Sequence, residues 1–199
     1  MATEDQAIID DVKKNGGQAI LTNKNHKTGT DRINEAIQKL GRTDVELVMN
    51  LQGDEPLMNV ADIQKLHAQM VKTKFELGTL ASNIIDQESY DNLNVVKVVT
   101  KESLDNSQFP EAINFARKLN DKPKNIYKHL GIYCYRLNTL EKFVSFNQSV
   151  NEIKYKLEQL RALDNEIKIN VAFAESSPIG VDTKEDFVAI KKIMEYKSK

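Results

Sequence analysis

The 199-residue chain has one cysteine, Cys134. A lone thiol closes no intrachain disulfide and builds no cysteine-rich zinc cluster. Its setting in the apolar run LGIYCYR reads as a small buried side chain rather than a reactive nucleophile. An excess of one charge is also missing: 28 Lys+Arg stand against 29 Asp+Glu, giving a net charge of -1 with no basic block. That argues against general nucleic-acid binding by phosphate neutralisation, though a local basic pocket for a small anion stays open. No apolar run approaches the roughly 20 residues of a membrane span. The acidic, amphipathic start MATEDQAIIDD is neither a secretory signal nor a transit peptide, so a soluble, cytoplasmic protein is expected. Glycine is scarce, with eight residues at 16, 17, 29, 41, 53, 78, 131 and 180, and none forms a Gly-rich phosphate loop. No Ser-His-Asp arrangement, zinc spacing or dinucleotide fingerprint is legible.

What is present is an alternation of strands and helices over one domain, residues 1–199. Thr3 with Glu4 and Asp5 predicts a helix start, and Gly16-Gly17 its stop. QAILT reads as a short strand, and Thr28-Gly29-Thr30 leads into a second helix through Ile33, Ala36, Ile37 and Leu40. ELVMNL is an apolar strand ended by QGDEP; Asn59 then caps a helix with Leu66 and Met70 on its inner face. LGTLASNI, NVVKVV, YKHLGIYCYR and IKINVAF read as further strands. Asn138 caps a short helix, SVNEIKYKLEQLRAL predicts one longer helix, and Asp182 opens the last. Residues 103–124, with Pro110 and Pro123, give no clear element. Continuous apolar strands between helices predict an α/β fold, a mostly parallel sheet with helices on both faces. Ligands of such sheets sit beyond the carboxyl ends of the strands.

Gln52-Gly53-Asp54-Glu55-Pro56 puts two carboxylates at such a strand end, a donor set suited to magnesium with phosphate, although Gly, Asp and Pro also make plain turns. Asp182, in Ile179-Gly180-Val181-Asp182-Thr183, resembles a helix cap with Glu185 three residues on; facing Asp54, it could share one metal ion. His26 to Arg32 places small residues at a loop-to-helix junction, where free N–H groups can meet a base edge or an anion, or an ordinary cap by Thr28, Thr30 or Asp31 can form. Arg32 suits a two-pronged grip on a carboxylate. Alternation puts His129, Gly131 and Tyr133 on one face of a strand, as a polar pocket wall or as satisfied core. Glu158 and Gln159 read as a helical carboxylate and amide beside apolar Leu157 and Leu160, a pattern that usually marks the surface.

Together these segments resemble the 3-deoxy-manno-octulosonate cytidylyltransferase family, the CMP-Kdo synthetases. The resemblance rests on GGQAILTNKNHKTGTDRINEA, VMNLQGDEPLM, NVVKVV, YKHLGIYCYR, KLEQLRAL and GVDTKEDF in that order, and covers nearly the whole chain. It implies a Rossmann-like nucleotide-diphospho-sugar transferase fold and transfer of CMP from CTP to Kdo with release of pyrophosphate, in lipopolysaccharide biosynthesis. The alternatives are an inactive relative that acts only as a binding or dimerisation partner, and a cytidylyltransferase for another sugar acid. The resemblance further implies Mg2+ held by Asp54 and Asp182, and Thr28, Gly29 and Thr30 against the nucleotide. Arg32 is given a catalytic role at the sugar-acid pocket, which Gln52, His129, Tyr133, Glu158, Gln159 and Arg117 line. Partners are CTP and Kdo, with a homodimer expected. Family members begin with a strand and a cationic, glycine-containing loop that grips the triphosphate. This sequence opens at the second strand, so an N-terminally truncated fold without that loop is expected.

Overall fold

The computed structural model describes residues 1–42, 44–121, 123–181 and 183–197. The chain opens with a strand β1 (Ala2–Thr3), helix α1 (Gln6–Lys14) and strand β2 (Ile20–Leu21), β1 and β2 pairing in parallel. The first helix is capped by Asp5, whose carboxylate accepts from Ala7 N at 2.7 Å, rather than by Thr3, which lies in β1. Helix α2 (Gly29–Leu40) is capped by Thr28 and ended by Gly41 at φ 61°, a left-handed position that favours glycine. Then follow β3 (Leu47–Leu51), α3 (Val60–Lys72) capped by Asn59, β4 (Leu77–Ser82), α4 (Gln87–Asp91) and β5 (Lys97–Thr100). The polar stretch that gave no clear element contains β6 (Ala112–Ala116). The second half comprises β7 (Ile126–Arg136), α5 (Leu137–Ser145), α6 (Val150–Tyr155), α7 (Leu160–Asp164), β8 (Ile169–Phe173) and α8 (Lys184–Lys197).

The main sheet has the order β6-β5-β7-β4-β8, with β3 also on β7. β3, β4, β5 and β8 run in one direction, as a largely parallel sheet requires. β7 runs against them from the middle, and β6 against β5, so among the described residues only β4 with β8 forms a parallel ladder of the main sheet. The sheet is mixed. A strand buried on both faces shows the same continuous apolar run in either direction, so the sequence pattern carries no sign of the reversal.

Helices cover both faces, as predicted. On one face Val48, Leu77, Val98, Tyr135 and Ile169 pack with Leu140 and Phe143 of α5 and Leu160 and Ala162 of α7. On the other, Leu80, Leu130, Ile132 and Cys134 pack with Leu66 and Met70 of α3. Gly78 is required here, because a Cβ would come within 2.8 Å of Phe109 Cζ and 2.9 Å of Leu66 Cδ1.

Two expected elements take a different form. α5 has no side-chain cap from Asn138, whose Oδ1 instead accepts from the Thr139 hydroxyl at 3.4 Å. The single helix expected over SVNEIKYKLEQLRAL is two helices, broken at Lys156, which is left-handed at φ 54°. Burial explains the break: Leu157 and Leu160 both enter the core, and Ser149 with Glu152 closes a capping box on the short α6.

Candidate active site

The long β7 organises the site. One edge pairs with β3 over Ile132–Arg136 and with β5 over Ile126–Lys128. Between these ladders the carboxyl end of β3 and the start of β5 part around Gly131. Gln52 and Glu55 fold into the break. A Cβ on Gly131 would lie 3.2 Å from Gln52 Oε1 and 3.8 Å from Glu55 Oε1, so glycine leaves room for both side chains over the strand. The break floors a cleft of about 550 Å³ lined by Gln52, Asp54, Arg117, His129, Tyr133, Glu158 and Gln159 among others. This is the crevice beyond a strand end where open α/β sheets hold ligands.

His129 is buried, stacked edge-on to Phe115 at 5.1 Å and 5.4 Å from the Tyr133 ring. Its Nε2 lies 2.9 Å from Thr79 Oγ1, which donates its proton to Ile132 O at 2.7 Å. We therefore assign the Nε2–H tautomer, leaving Nδ1 as the lone-pair nitrogen. Burial lowers the imidazole pKa from 6.5 to about 3, so the ring is a neutral hydrogen-bonding group at physiological pH. The Tyr133 phenol is pushed well up by burial, with smaller contributions from Tyr135 and Glu158.

Glu158 and Gln159 lie in the turn between α6 and α7, not on a helix as expected. The Glu158 carboxylate accepts from Thr30 N at 3.3 Å, and Thr30 Oγ1 meets the Tyr135 hydroxyl at 3.2 Å. Desolvation raises the Glu158 carboxyl above the usual range, opposed by its hydrogen bonds with Thr30 and Thr28. The first turn of α2 thus abuts the pocket wall, and Gly29 has no atom near its Cβ position. Arg117 closes the far side, half-buried, with Nη1 donating to Leu93 O at 3.0 Å and Asn94 O at 3.3 Å.

Asp54 is exposed at the mouth. Its carbonyl accepts from Val181 N at 2.8 Å, so the segment leading to the last helix runs against QGDEP. Asp182 itself lies outside the described residues. Arg32 is not among the residues that line the cleft: its guanidinium bonds Thr22 Oγ1 at 2.6 Å and Asn23 O at 3.1 Å, and pairs with Glu4. It joins α2 to the opening strands in this conformation.

Sequence reasoning missed two groups. Asp62, buried on α3, accepts from Glu175 N at 3.0 Å, from Ser176 N at 3.2 Å and from the Ser176 hydroxyl, fixing the loop that leads toward Asp54. It lies in the first turn of α3, three residues after the Asn59 cap, an ordinary place for a carboxylate. Arg161 is 1% exposed and ion-paired to Glu152 and Asp31; no local spacing reveals a partner 130 residues away. Among the described residues no three His, Cys, Asp or Glu side chains gather as a metal cage. Magnesium needs no such cage, since one or two carboxylates with waters and phosphate suffice, so the Asp54 oxygens fit its chemistry.

The cytidylyltransferase family profile matches residues 1–169. The chain is 39% identical over 204 residues to a 3-deoxy-manno-octulosonate cytidylyltransferase of Thermodesulfovibrio yellowstonii, covering 98% of this chain and 80% of that protein. It is 38% identical to the enzyme of the same name from Paramagnetospirillum magneticum, covering 94% and 76% of the two chains. A solved CMP:2-keto-3-deoxy-manno-octonic acid synthetase complexed with CTP superposes with a TM-score of 0.84 at 30% identity, over 98% of this chain and 79% of that one. The 4-diphosphocytidyl-2C-methyl-D-erythritol synthase of Anaerococcus prevotii, at 16% identity and a TM-score of 0.61, shares the fold. On this evidence the chain belongs to the 3-deoxy-manno-octulosonate cytidylyltransferase family and is a nucleotidyltransferase by fold and sequence.

Proposed function

We propose that this protein transfers CMP from CTP to Kdo in lipopolysaccharide assembly. The observation that carries this reading is the meeting of Gln52, His129, Tyr133, Glu158, Gln159 and Arg117 in one cleft beside Asp54. That lining offers an arginine cation, two amides, a neutral imidazole, a phenol and the Glu158 carboxyl, whose pKa burial raises, a set that can hydrogen-bond a polyhydroxylated acid. Thr28, Gly29 and Thr30, at the amino-terminal end of α2, face the nucleotide in this reading. Asp54, with Asp182, holds magnesium. The ion, when bound, supplies neutralisation of phosphate charge.

In the reaction the anomeric hydroxyl oxygen of the sugar acid bonds to the α-phosphorus as the bond to the bridging oxygen breaks and pyrophosphate leaves, the hydroxyl proton passing to solvent. Chemistry of this kind depends on positioning and electrostatics more than on a covalent intermediate. Gln52, Glu158 and Gln159 orient the acid. His129, neutral through burial, serves as a hydrogen-bond partner rather than a charged acid. Arg32 reaches the sugar acid only if its pairing with Glu4 gives way. A cytoplasmic homodimer belongs to the same reading; Ile113, Val150, Ile153 and Tyr155, exposed on β6 and α6, support an apolar contact between copies.

A second reading keeps the reaction and changes the acid. Kdo and N-acetylneuraminate offered together with CTP and magnesium discriminate the two: the account expects CMP-Kdo as the main product. Predominant CMP-neuraminate would overturn the choice of acid, and neither product would leave the inactive relative as the better description.

A further inference from the structure

The Arg161 network lies outside the cleft yet joins its two halves. Arg161 reaches Glu152 of α6 through Nε at 2.8 Å and Nη2 at 2.6 Å, and Asp31 of α2 through Nη1 at 3.0 Å. Its guanidinium stacks 4.6 Å from the Phe143 ring centroid. The second oxygen of Asp31 accepts from Thr28 Oγ1 at 2.8 Å. Three residues before Arg161, Glu158 accepts from Thr30 N. The first turn of α2 and the turn carrying Glu158 and Gln159 are therefore joined twice, once through Asp31 and once through Thr30. Lys156, at φ 54°, reverses the chain between α6 and α7, and Arg161, by gripping Glu152, spans that reversal.

We propose that Arg161 is a positioning residue that sets the distance between the nucleotide-facing loop Thr28–Thr30 and the sugar-acid wall Glu158–Gln159. The inference rests on the function proposed above. Three charged groups in rigid two-pronged geometry fix both turns relative to one another, and arginine alone has the fork to hold two carboxylates at once. A lysine keeps the charge, holds one carboxylate and releases the other.

The test compares Arg161→Lys, Arg161→Met and Asp31→Asn with a matched control, Arg136→Met. Arg136 is equally networked, donating to Met70 O at 3.1 Å, Thr73 O at 2.6 Å and Phe75 O at 3.1 Å, and is absent from the cleft lining. Thermal midpoints and separate KM values for CTP and Kdo are measured for each. The account expects both KM values to rise about tenfold in Arg161→Lys, since small misplacements of positioning groups carry costs of this order. Asp31→Asn, which leaves the Arg161–Glu152 pair in place, raises both KM values several-fold, while Arg136→Met lowers the midpoint and leaves KM within about twofold. If Arg161→Met does not fold, the lysine and Asp31 variants carry the test. Unchanged KM values in both, whatever the midpoint, would reduce Arg161 to a purely structural role. Absence of turnover in the unaltered protein refutes the proposed function instead, so the two failures are told apart.

Discussion

Replacing Gly131 with alanine separates folding from substrate binding in this protein. Gly131 lies inside β7 with no positive φ, so an alanine is compatible with its backbone. In the unfolded chain the extra methyl removes conformational freedom, which by itself stabilises by about 0.4–1 kcal/mol. In the fold the new Cβ stands 3.2 Å from Gln52 Oε1 and 3.6 Å from its Cδ. Ordinary contact between a methyl carbon and oxygen begins at about 3.4 Å or more, so the carboxamide must give way by a few tenths of an ångström. Gln52 is half-buried at a strand end and can do so. The thermal midpoint should hold or rise, while Gln52 leaves the place from which, in the proposed function, it orients the acid. Loss of one hydrogen bond to a charged partner is about 1.5–3 kcal/mol, that is, about a 10- to 150-fold weakening. The assay is KM for Kdo at saturating CTP, beside a thermal melt. Unchanged KM with the fold intact would refute the placement of Gln52 against the acid.

Two further outcomes follow from buried groups. His129 is neutral in the fold down to about pH 3 while the unfolded imidazole titrates near 6.5; the unfolded state binds the extra proton, so stability falls as pH drops through that window. From pH 7 to 5 the unaltered protein should lose about 2 kcal/mol more stability than His129→Gln, as measured by urea denaturation; equal losses would contradict a buried neutral ring. Asp62→Ala strips an acceptor from Glu175 N, Ser176 N and the Ser176 hydroxyl. It should cost about 1–3 kcal/mol, with a fall in Tm of about 2–4 °C per kcal/mol, and raise the magnesium concentration needed for half-maximal rate; an unaltered melt would contradict the clamp.

Much of the architecture was legible because local chemistry wrote it. Asn59 and the Thr28–Asp31 stretch marked helix starts, and apolar runs marked β4, β5, β7 and β8. Strand direction was not legible, since β7 reads the same either way. Nor was the break at Lys156: the spacing of Leu157 and Leu160 suits one helix, and only packing against the sheet splits it. Gln52, His129, Tyr133, Glu158, Gln159 and Arg117 line one cleft; strand alternation singled out His129 and Tyr133, while the resemblance alone pointed to Gln52, Glu158, Gln159 and Arg117 as pocket residues. Arg161 and Asp62 were missed because their partners lie on other elements, more than a hundred residues away in the case of Glu175 and of Asp31. The pairing of Arg32 with Glu4, 28 residues away, was likewise not legible from local spacing.

The central claim is that this cleft transfers a cytidylyl group with the help of the Asp54 carboxylate. Pyrophosphate release from CTP and Kdo, with magnesium and with EDTA, for the unaltered protein and Asp54→Asn, tests it most directly. The account predicts release that needs magnesium and falls at least about 100-fold in the folded Asp54→Asn protein. Release that persists in EDTA or in Asp54→Asn, or none at all from the folded unaltered protein, would contradict it.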